Sequence, residues 1–276
     1  MNMKSKSVLR IGILGLGKMG EALVQGIQAS AKKSSYSLAA TTRSANTATE
    51  ATKRLGIPCY CDNQKLSKES DILILAVKPQ QAKAVLQEIQ GSLAESKTII
   101  SICASLTTEE LREWSGGRAS VIRAMPNTPA LVGEGMTVLC AARGAAKESL
   151  AIAEELMACV GRVSLLDESL MDAATGLSGC GPAFIYLVIE ALSEAGVKVG
   201  LSRKTSTLLA AQTLLGSAKM VLDRDVHPAQ LKDEVTTPAG CTIDGLMALE
   251  EGKLRVTLIK AVLASTKRSK SLRESK

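Results

Sequence analysis

Residues 8–20 read VLRIGILGLGKMG, an apolar run that leads directly into three glycines with the spacing G-x-G-x-x-G. The run from Val8 to Leu14 predicts a β-strand, and the apolar spacing from Lys18 to Ala31 predicts a helix. A strand, a glycine turn and a helix in this order bind the pyrophosphate of a dinucleotide, whereas the glycine pattern alone is weak evidence. The free N–H groups at the start of such a helix hold the anion. We therefore expect cofactor contacts from six consecutive residues: Gly15, Leu16, Gly17, Lys18, Met19 and Gly20.

The rest of the N-terminal half alternates short apolar runs with helical patterns. Residues 38–41, 72–77 and 98–102 are runs of strand length, and segments with helical spacing separate them. Strands without a polar face belong to parallel sheets that helices cover on both sides. The pattern predicts an α/β fold with a doubly wound, Rossmann-type, mostly parallel sheet.

The C-terminal part of the chain is predicted to be helical. The strand pattern stops near Asp167, and the later segments have helical spacing, including one helix expected from Thr242 to Ser275. We therefore predict a dinucleotide-binding domain over residues 1–166, followed by a helical substrate-binding and dimerisation domain over residues 167–276.

One segment of the helical part indicates self-association. Residues 208–222 are apolar on nearly every side, and a helix of that kind has to be buried all round. The helical part is too small to bury such a surface by itself. We therefore expect the chain to bind copies of itself, as a homodimer or as a decamer built from dimers.

The composition argues against several classes of protein. Only 2% of the residues are aromatic, too few for the stacking platforms that bind single-stranded nucleic acid, and much of the net charge of +7 lies near the C-terminus. No apolar run approaches the roughly 18 residues of a membrane span. For these two reasons, we expect neither nucleic acid nor a membrane as a partner. Seven scattered cysteines and a single histidine predict a cytoplasmic protein without a bound metal.

The residues after the second expected strand indicate which dinucleotide binds. Enzymes that use NADH place an acidic residue here, where it binds the ribose hydroxyls. The chain has Thr42, Arg43 and Ser44 instead, which offer two hydroxyls and a guanidinium to a 2′-phosphate. These residues predict NADPH, with NADH as the alternative cofactor. The alternative for Arg43 is an exposed arginine that binds nothing.

A further strand ends at Ala76, Val77, Lys78 and Pro79. Open α/β sheets bind their ligands at the carboxyl edge, so we expect all four residues to contact the cofactor. Two alternatives remain for Lys78, which could be a catalytic acid or a solvated strand end.

A second anion site is expected where two C-terminal helices are interrupted. The segment Thr237-Pro238-Ala239-Gly240-Cys241-Thr242 contains a proline and a glycine, and the next helix begins near its end. The free N–H groups at the start of that helix suit a carboxylate. An ordinary loop between two helices is the alternative.

Six segments together resemble the pyrroline-5-carboxylate reductase family. The resemblance covers nearly the whole chain, and the segments occur in the order of the family: Gly15–Gly20, Ala76–Pro79, Met125–Pro129, Thr175–Pro182, His227–Asp233 and Thr237–Thr242. It implies transfer of hydride from NAD(P)H to the cyclic imine 1-pyrroline-5-carboxylate, which gives L-proline in the last step of proline biosynthesis.

The resemblance also implies roles for single residues. The loop 237–242 would hold the substrate carboxylate, and Thr242, the expected catalytic residue, would hydrogen-bond the ring nitrogen. Asp225 falls where relatives can carry an acidic group near the substrate. Asn63 and Ala104 fall at positions that line the cofactor.

Three residues depart from the family pattern. Ala239 replaces the first of two glycines, while Thr237 and Cys180 each replace a serine. If position 239 has a positive φ, alanine costs about 1 kcal/mol there. The departures therefore bear on substrate affinity more than on reaction type. The functional alternatives are an NADP-dependent hydroxyacid dehydrogenase and a catalytically silent NADPH-binding protein.

Overall fold

The computed structural model describes residues 8–274, and the N-terminal part of these residues forms one sheet. Eight strands of the described chain belong to it: β1 (Leu9–Leu14), β2 (Tyr36–Thr41), β3 (Cys59–Tyr60), β4 (Ile72–Leu75), β5 (Thr98–Ser101), β6 (Ser120–Met125), β7 (Gly135–Ala141) and β8 (Gly161–Leu165). The strand order is β3-β2-β1-β4-β5-β6-β7-β8. Neighbouring strands are parallel except β6 and β7, which are antiparallel. The predicted mostly parallel sheet is confirmed.

Twelve α-helices connect or follow these strands within residues 8–274. They are α1 (Lys18–Ala29), α2 (Ala45–Leu55), α3 (Asn63–Glu69), α4 (Pro79–Ile89), α5 (Thr108–Trp114), α6 (Lys147–Ala158), α7 (Met171–Ala174), α8 (Gly181–Lys198), α9 (Arg203–Arg224), α10 (Pro228–Glu234), α11 (Cys241–Glu251) and α12 (Leu254–Glu274).

Helices cover both faces of the sheet, as the apolar strands require. On one face, α1, α2 and α6 contribute buried side chains such as Leu23, Leu55 and Leu156 to a single core. On the other face, α3, α4 and α5 contribute a second core that includes Leu66 and Leu86. The strand order reverses between β1 and β4, and the carboxyl edge at such a switch point is where doubly wound sheets bind ligands.

The described chain divides into two compact units. One unit runs to Gly179 and also includes the segment from Thr266 onward, while the other runs from Cys180 to Ser265. The last strand ends at Leu165, close to the predicted domain boundary, but α7 still packs with the sheet unit. The domain boundary between residues 166 and 167 therefore stays a prediction, whereas the two compact units divide after Gly179.

The single helix expected from Thr242 to Ser275 is wrong. Within the described residues there are two helices, α11 and α12, because the chain turns at Gly252 and at Lys253, whose φ is +57°. A left-handed residue ends an α-helix, and the sequence pattern does not reveal it because lysine seldom adopts this conformation. Residue 275 lies outside the described residues.

Much of the apolar surface of the helical unit is exposed in a single chain. Tyr186, Leu187 and Leu208 are each at least 60% exposed. One helical stretch, Glu168–Lys198, is long and apolar enough to cross a membrane by length and composition, and only 6% of its most apolar window is buried. No continuous apolar run marks this stretch in the sequence, because polar residues interrupt an otherwise high mean hydropathy.

A buried aspartate holds the end of α12 against α7. Asp172 is 1% exposed, accepts a hydrogen bond from the Ser269 hydroxyl at 2.7 Å, and pairs with the Arg273 guanidinium at 3.1 Å. We expect Asp172→Ala to lower the free energy of unfolding by about 2–3 kcal/mol, because it leaves two polar partners unpaired.

The measurement is chemical denaturation, with Asp233→Ala as the control. Asp233 also pairs with a cation, Lys232 at 2.9 Å, but its side chain is 73% exposed. Removing this exposed pair should cost less than about 1 kcal/mol. Equal losses for the two variants would contradict the role given to Asp172.

Candidate functional site

The glycine turn after β1 has the geometry that a pyrophosphate requires. Gly15 has φ +87°, and a Cβ there would lie 2.6 Å from a methyl carbon of Val77. A Cβ on Gly20 would lie 3.1 Å from the Gly15 carbonyl oxygen, so the start of α1 packs closely on the turn. Gly17, by contrast, has open space around the position of its missing Cβ. It lets a ligand approach the backbone.

The start of α1 is open to an anion. Gly17 is the N-cap residue and supplies no side-chain hydrogen bond to the helix, so the first N–H groups have no side-chain cap. Leu16, Lys18 and Met19 flank the turn, and Lys18 is exposed. Together with the space at Gly17, this arrangement fits a dinucleotide pyrophosphate.

The residues after β2 differ in whether their side chains already have partners within the chain. The Thr42 hydroxyl donates to the Ser44 carbonyl oxygen at 3.1 Å, and the Ser44 hydroxyl caps α2 by accepting from the Thr47 N–H. Both hydroxyls predicted to bind a 2′-phosphate therefore have local partners as well. The exposed guanidinium of Arg43 has no ion-pair partner among residues 8–274.

The remaining expected cofactor residues follow β3, β4 and β5. Ala76 continues from β4 and its N–H donates to the Leu14 carbonyl oxygen at 2.9 Å, which joins it to the glycine turn. Asn63 begins α3, and its carboxamide donates to Glu88 at 2.9 Å. Since β4 and β5 are parallel neighbours, the topology brings their carboxyl ends to one edge, with Val77, Lys78 and Pro79 after β4 and Ala104 after β5.

Sequence reasoning did not find the role of Asn127. Its carboxamide nitrogen donates to the Ser178 carbonyl oxygen at 3.1 Å, while its oxygen accepts from the Met136 N–H at 2.8 Å. The residue thereby fastens the turn after β6 to β7 and to the π-helical turn Thr175–Gly179. Its place in Met125–Pro129 was a signal of importance, but Ser178, to which it donates, lies 51 positions away in the sequence.

In the helical unit, the segment between α10 and α11 forms the expected open helix start. Gly240 is the N-cap residue of α11 and provides no side-chain cap, and its own N–H donates to the Thr237 carbonyl oxygen at 3.1 Å. Cys241 is exposed and Thr242 is half-buried in the first turn. At the start of α11, whose first N–H groups have no side-chain cap, the structure thus places six consecutive residues: Thr237, Pro238, Ala239, Gly240, Cys241 and Thr242.

Asp225 and His227 occupy the connection between α9 and α10. Asp225 has φ +49° and ends α9, and no hydrogen bond or ion pair of the described residues joins it to the loop 237–242. The His227 ring nitrogen Nδ1 accepts a hydrogen bond from the Ala229 N–H at 3.2 Å and so caps α10. Among residues 8–274 there is no cluster of three potential metal ligands.

Two family models match separate parts of the chain. A pyrroline-5-carboxylate reductase dimerisation model matches residues 168–272, and a model of F420-dependent NADP oxidoreductases matches residues 10–105. The pyrroline-5-carboxylate reductase of Arabidopsis thaliana is 41% identical over 266 residues, which is 96% of each chain.

Solved structures give the same relationship. A pyrroline-5-carboxylate reductase from Coxiella burnetii is similar with a TM-score of 0.90 and 35% identity, over 97% of this chain and 99% of that one. The pyrroline carboxylate reductase of Plasmodium falciparum, solved with NADP bound, is similar with a TM-score of 0.83 and 37% identity, over 96% and 98% of the two chains.

Ala239 is the one loop residue with a measurable conformational cost, since its φ is +55°. We expect Ala239→Gly to raise the free energy of unfolding by about 0.5 kcal/mol, because the strain of a left-handed alanine exceeds the entropy that glycine adds to the unfolded chain. Chemical denaturation measures the change.

The matched control is Ala248→Gly, within α11, the helix that follows the loop. This substitution should lower stability by about 1 kcal/mol, because glycine is a poor helix residue. If both variants lose stability alike, position 239 carries no strain.

Proposed function

The chain belongs to the pyrroline-5-carboxylate reductase family, and we propose that it reduces the C=N bond of 1-pyrroline-5-carboxylate with NADPH to give L-proline. The observation that carries the proposal is the uncapped start of α11 at Gly240, with Thr242 in its first turn. This start offers N–H groups to a carboxylate and a hydroxyl to a neighbouring ring nitrogen. The substrate has both groups on one small ring.

The nucleotide is assigned to the carboxyl edge of the sheet. The turn Gly15–Gly20 would hold the pyrophosphate, because the space at Gly17 and the uncapped helix α1 suit an anion. Arg43 would pair with the 2′-phosphate, next to Thr42 and Ser44. Support for NADPH comes from the similar Plasmodium protein with NADP bound and from the absence of an acid after β2. NADH is the weaker alternative.

The other contacts follow from the same edge. Asn63, Ala104 and the segment Ala76–Pro79 would line the bound nucleotide, whose nicotinamide supplies the hydride. Lys78 is the exposed N-cap residue of α4, which suits a nucleotide contact more than a proton transfer inside a closed site.

The chain's own residues would bind and orient the substrate. The α11 N–H groups and the Thr237 hydroxyl hold the carboxylate, while Pro238, Ala239, Gly240 and Cys241 shape the loop. A protonated ring nitrogen can donate to the Thr242 hydroxyl oxygen, and after hydride arrives at the ring carbon, the amine can accept a hydrogen bond from the same hydroxyl. Positioning of the substrate therefore supplies much of the rate enhancement, and no histidine takes part in the reaction. Asp225 is proposed as an acidic neighbour of the substrate.

Self-association is a property of this family, whose dimerisation model matches residues 168–272. We propose a homodimer, with a decamer built from dimers as the larger assembly. The exposed apolar side chains of α8 and α9 support it, since an exposed surface of this kind marks an interface. We also propose a cytoplasmic location and no nucleic-acid or membrane partner, with 1–166 and 167–276 as the two domains.

The first test measures NADPH oxidation with 1-pyrroline-5-carboxylate, a 2-keto acid or a 3-keto acid as substrate. We expect turnover of the cyclic imine. Preference for a keto acid would favour a hydroxyacid dehydrogenase, and no turnover with any substrate would favour a silent NADPH-binding protein.

In the same assay, we expect Thr242→Ala to lower kcat/KM about tenfold or more, because a hydrogen bond to the ring nitrogen worth about 1–3 kcal/mol is lost. Thr242→Ser should retain most of the activity. Thr257→Ala is the matched control, since Thr257 lies in α12 and its hydroxyl donates to the Lys253 carbonyl oxygen just before that helix. Equal kcat/KM for Thr242→Ala and the wild type would remove Thr242 from the mechanism.

A second variant tests the cofactor. We expect Arg43→Ala to lower the NADPH-to-NADH ratio of kcat/KM about fivefold or more, because a charge-assisted contact to the 2′-phosphate is lost. Arg118→Ala is the control, as this exposed arginine precedes β6 at the opposite edge of the sheet. An unchanged ratio in Arg43→Ala would show that the arginine does not select the cofactor.

A further inference from the structure

A tyrosine at the end of β3 lies beside the turn that carries Arg43. Tyr60 is in register with Thr41 of β2, and its carbonyl oxygen accepts a hydrogen bond from the Thr42 N–H at 2.9 Å. The two strands are parallel, so both end at the carboxyl edge of the sheet. Whatever binds next to Arg43 therefore lies next to the residues that follow Tyr60.

A lysine is held against this tyrosine. Lys65 is in the first turn of α3, and its Nζ lies 4.4 Å from the centre of the Tyr60 ring, within the range of a cation–π contact. The Tyr60 ring is partly buried against the second core of the sheet, so it has a fixed position against which the flexible Lys65 side chain packs. Among residues 8–274 no carboxylate forms an ion pair with Lys65, which leaves its ammonium group able to bind an external anion.

Two carboxylates lie at the start of α3. Asp62 caps α3 by accepting from the Lys65 N–H at 2.9 Å, and Glu88 accepts from the Asn63 carboxamide at 2.9 Å. Both would repel a phosphate group placed beside Arg43. The charge of the Arg43 guanidinium alone does not offset two carboxylates and a phosphate. A second cation beside Arg43 therefore favours binding of the phosphate.

We propose that Lys65, supported by Tyr60, is a second determinant of NADPH specificity that acts with Arg43 on the 2′-phosphate. The inference rests on the proposed binding of NADPH after β2. It adds a residue that neither the glycine turn nor the pattern after β2 indicates. Lysine binds phosphate as a mobile point charge, so an ammonium that rests on an aromatic ring can turn toward the anion when it arrives.

The test measures binding to two fragments of the cofactor by isothermal titration calorimetry, without a reaction. The fragments are adenosine 2′,5′-bisphosphate and 5′-AMP, which differ only in the 2′-phosphate. We expect Lys65→Ala to weaken the bisphosphate about fivefold and to leave 5′-AMP unchanged, with a smaller effect at high salt. Lys65→Arg should restore the difference between the fragments, because it restores the cation.

The matched control is Lys53→Ala, which removes an exposed lysine in the last turn of α2, about 12 Å along the helix from its start. The melting temperature of each variant verifies its fold. If Lys65→Ala and Lys53→Ala bind the bisphosphate alike while Arg43→Ala loses affinity, Lys65 has no role although the proposed cofactor stands. If the wild type does not prefer the bisphosphate to 5′-AMP, both proposals fail.

Discussion

The N-terminal unit depends on the absence of a side chain at Gly15. The residue has positive φ, and a Cβ there would press on Val77, so only glycine lets the chain leave β1 and turn into α1 beside the end of β4. This close approach lies at the point where the strand order reverses. The same turn therefore closes the sheet's core, directs α1 across one face and leaves its first N–H groups open at the edge.

The features that the sequence predicted well are those that depend on local geometry. The glycine turn, the strands β1, β4 and β5, and the uncapped start of α11 all follow from residue type and spacing. Two strands at the sheet's outer positions were not predicted, because β3 has two residues and β8 is half exposed. A short or half-exposed edge strand has no strong apolar pattern to reveal it.

The contacts that the sequence could not predict near the carboxyl edge are tertiary ones. The Asn63 carboxamide is held by a glutamate 25 positions away, and the Lys65 ammonium rests on a ring that belongs to the preceding strand. No spacing rule predicts such pairs, since the first forms only when α3 packs beside α4 and the second only when the start of α3 lies against the end of β3. Similarly, Lys253 breaks one expected helix into two through its backbone conformation alone.

Helix α12 begins in the helical unit and ends in the sheet unit, since its residues from Thr266 onward belong with the first part of the chain. The N-terminal unit is consequently discontinuous in sequence. A ribosome finishes Asp172 long before it reaches Ser269 and Arg273, so the carboxylate has neither partner while most of the remaining chain is still being made. Folding of the nucleotide-binding unit during synthesis therefore cannot be completed before its last helix has emerged.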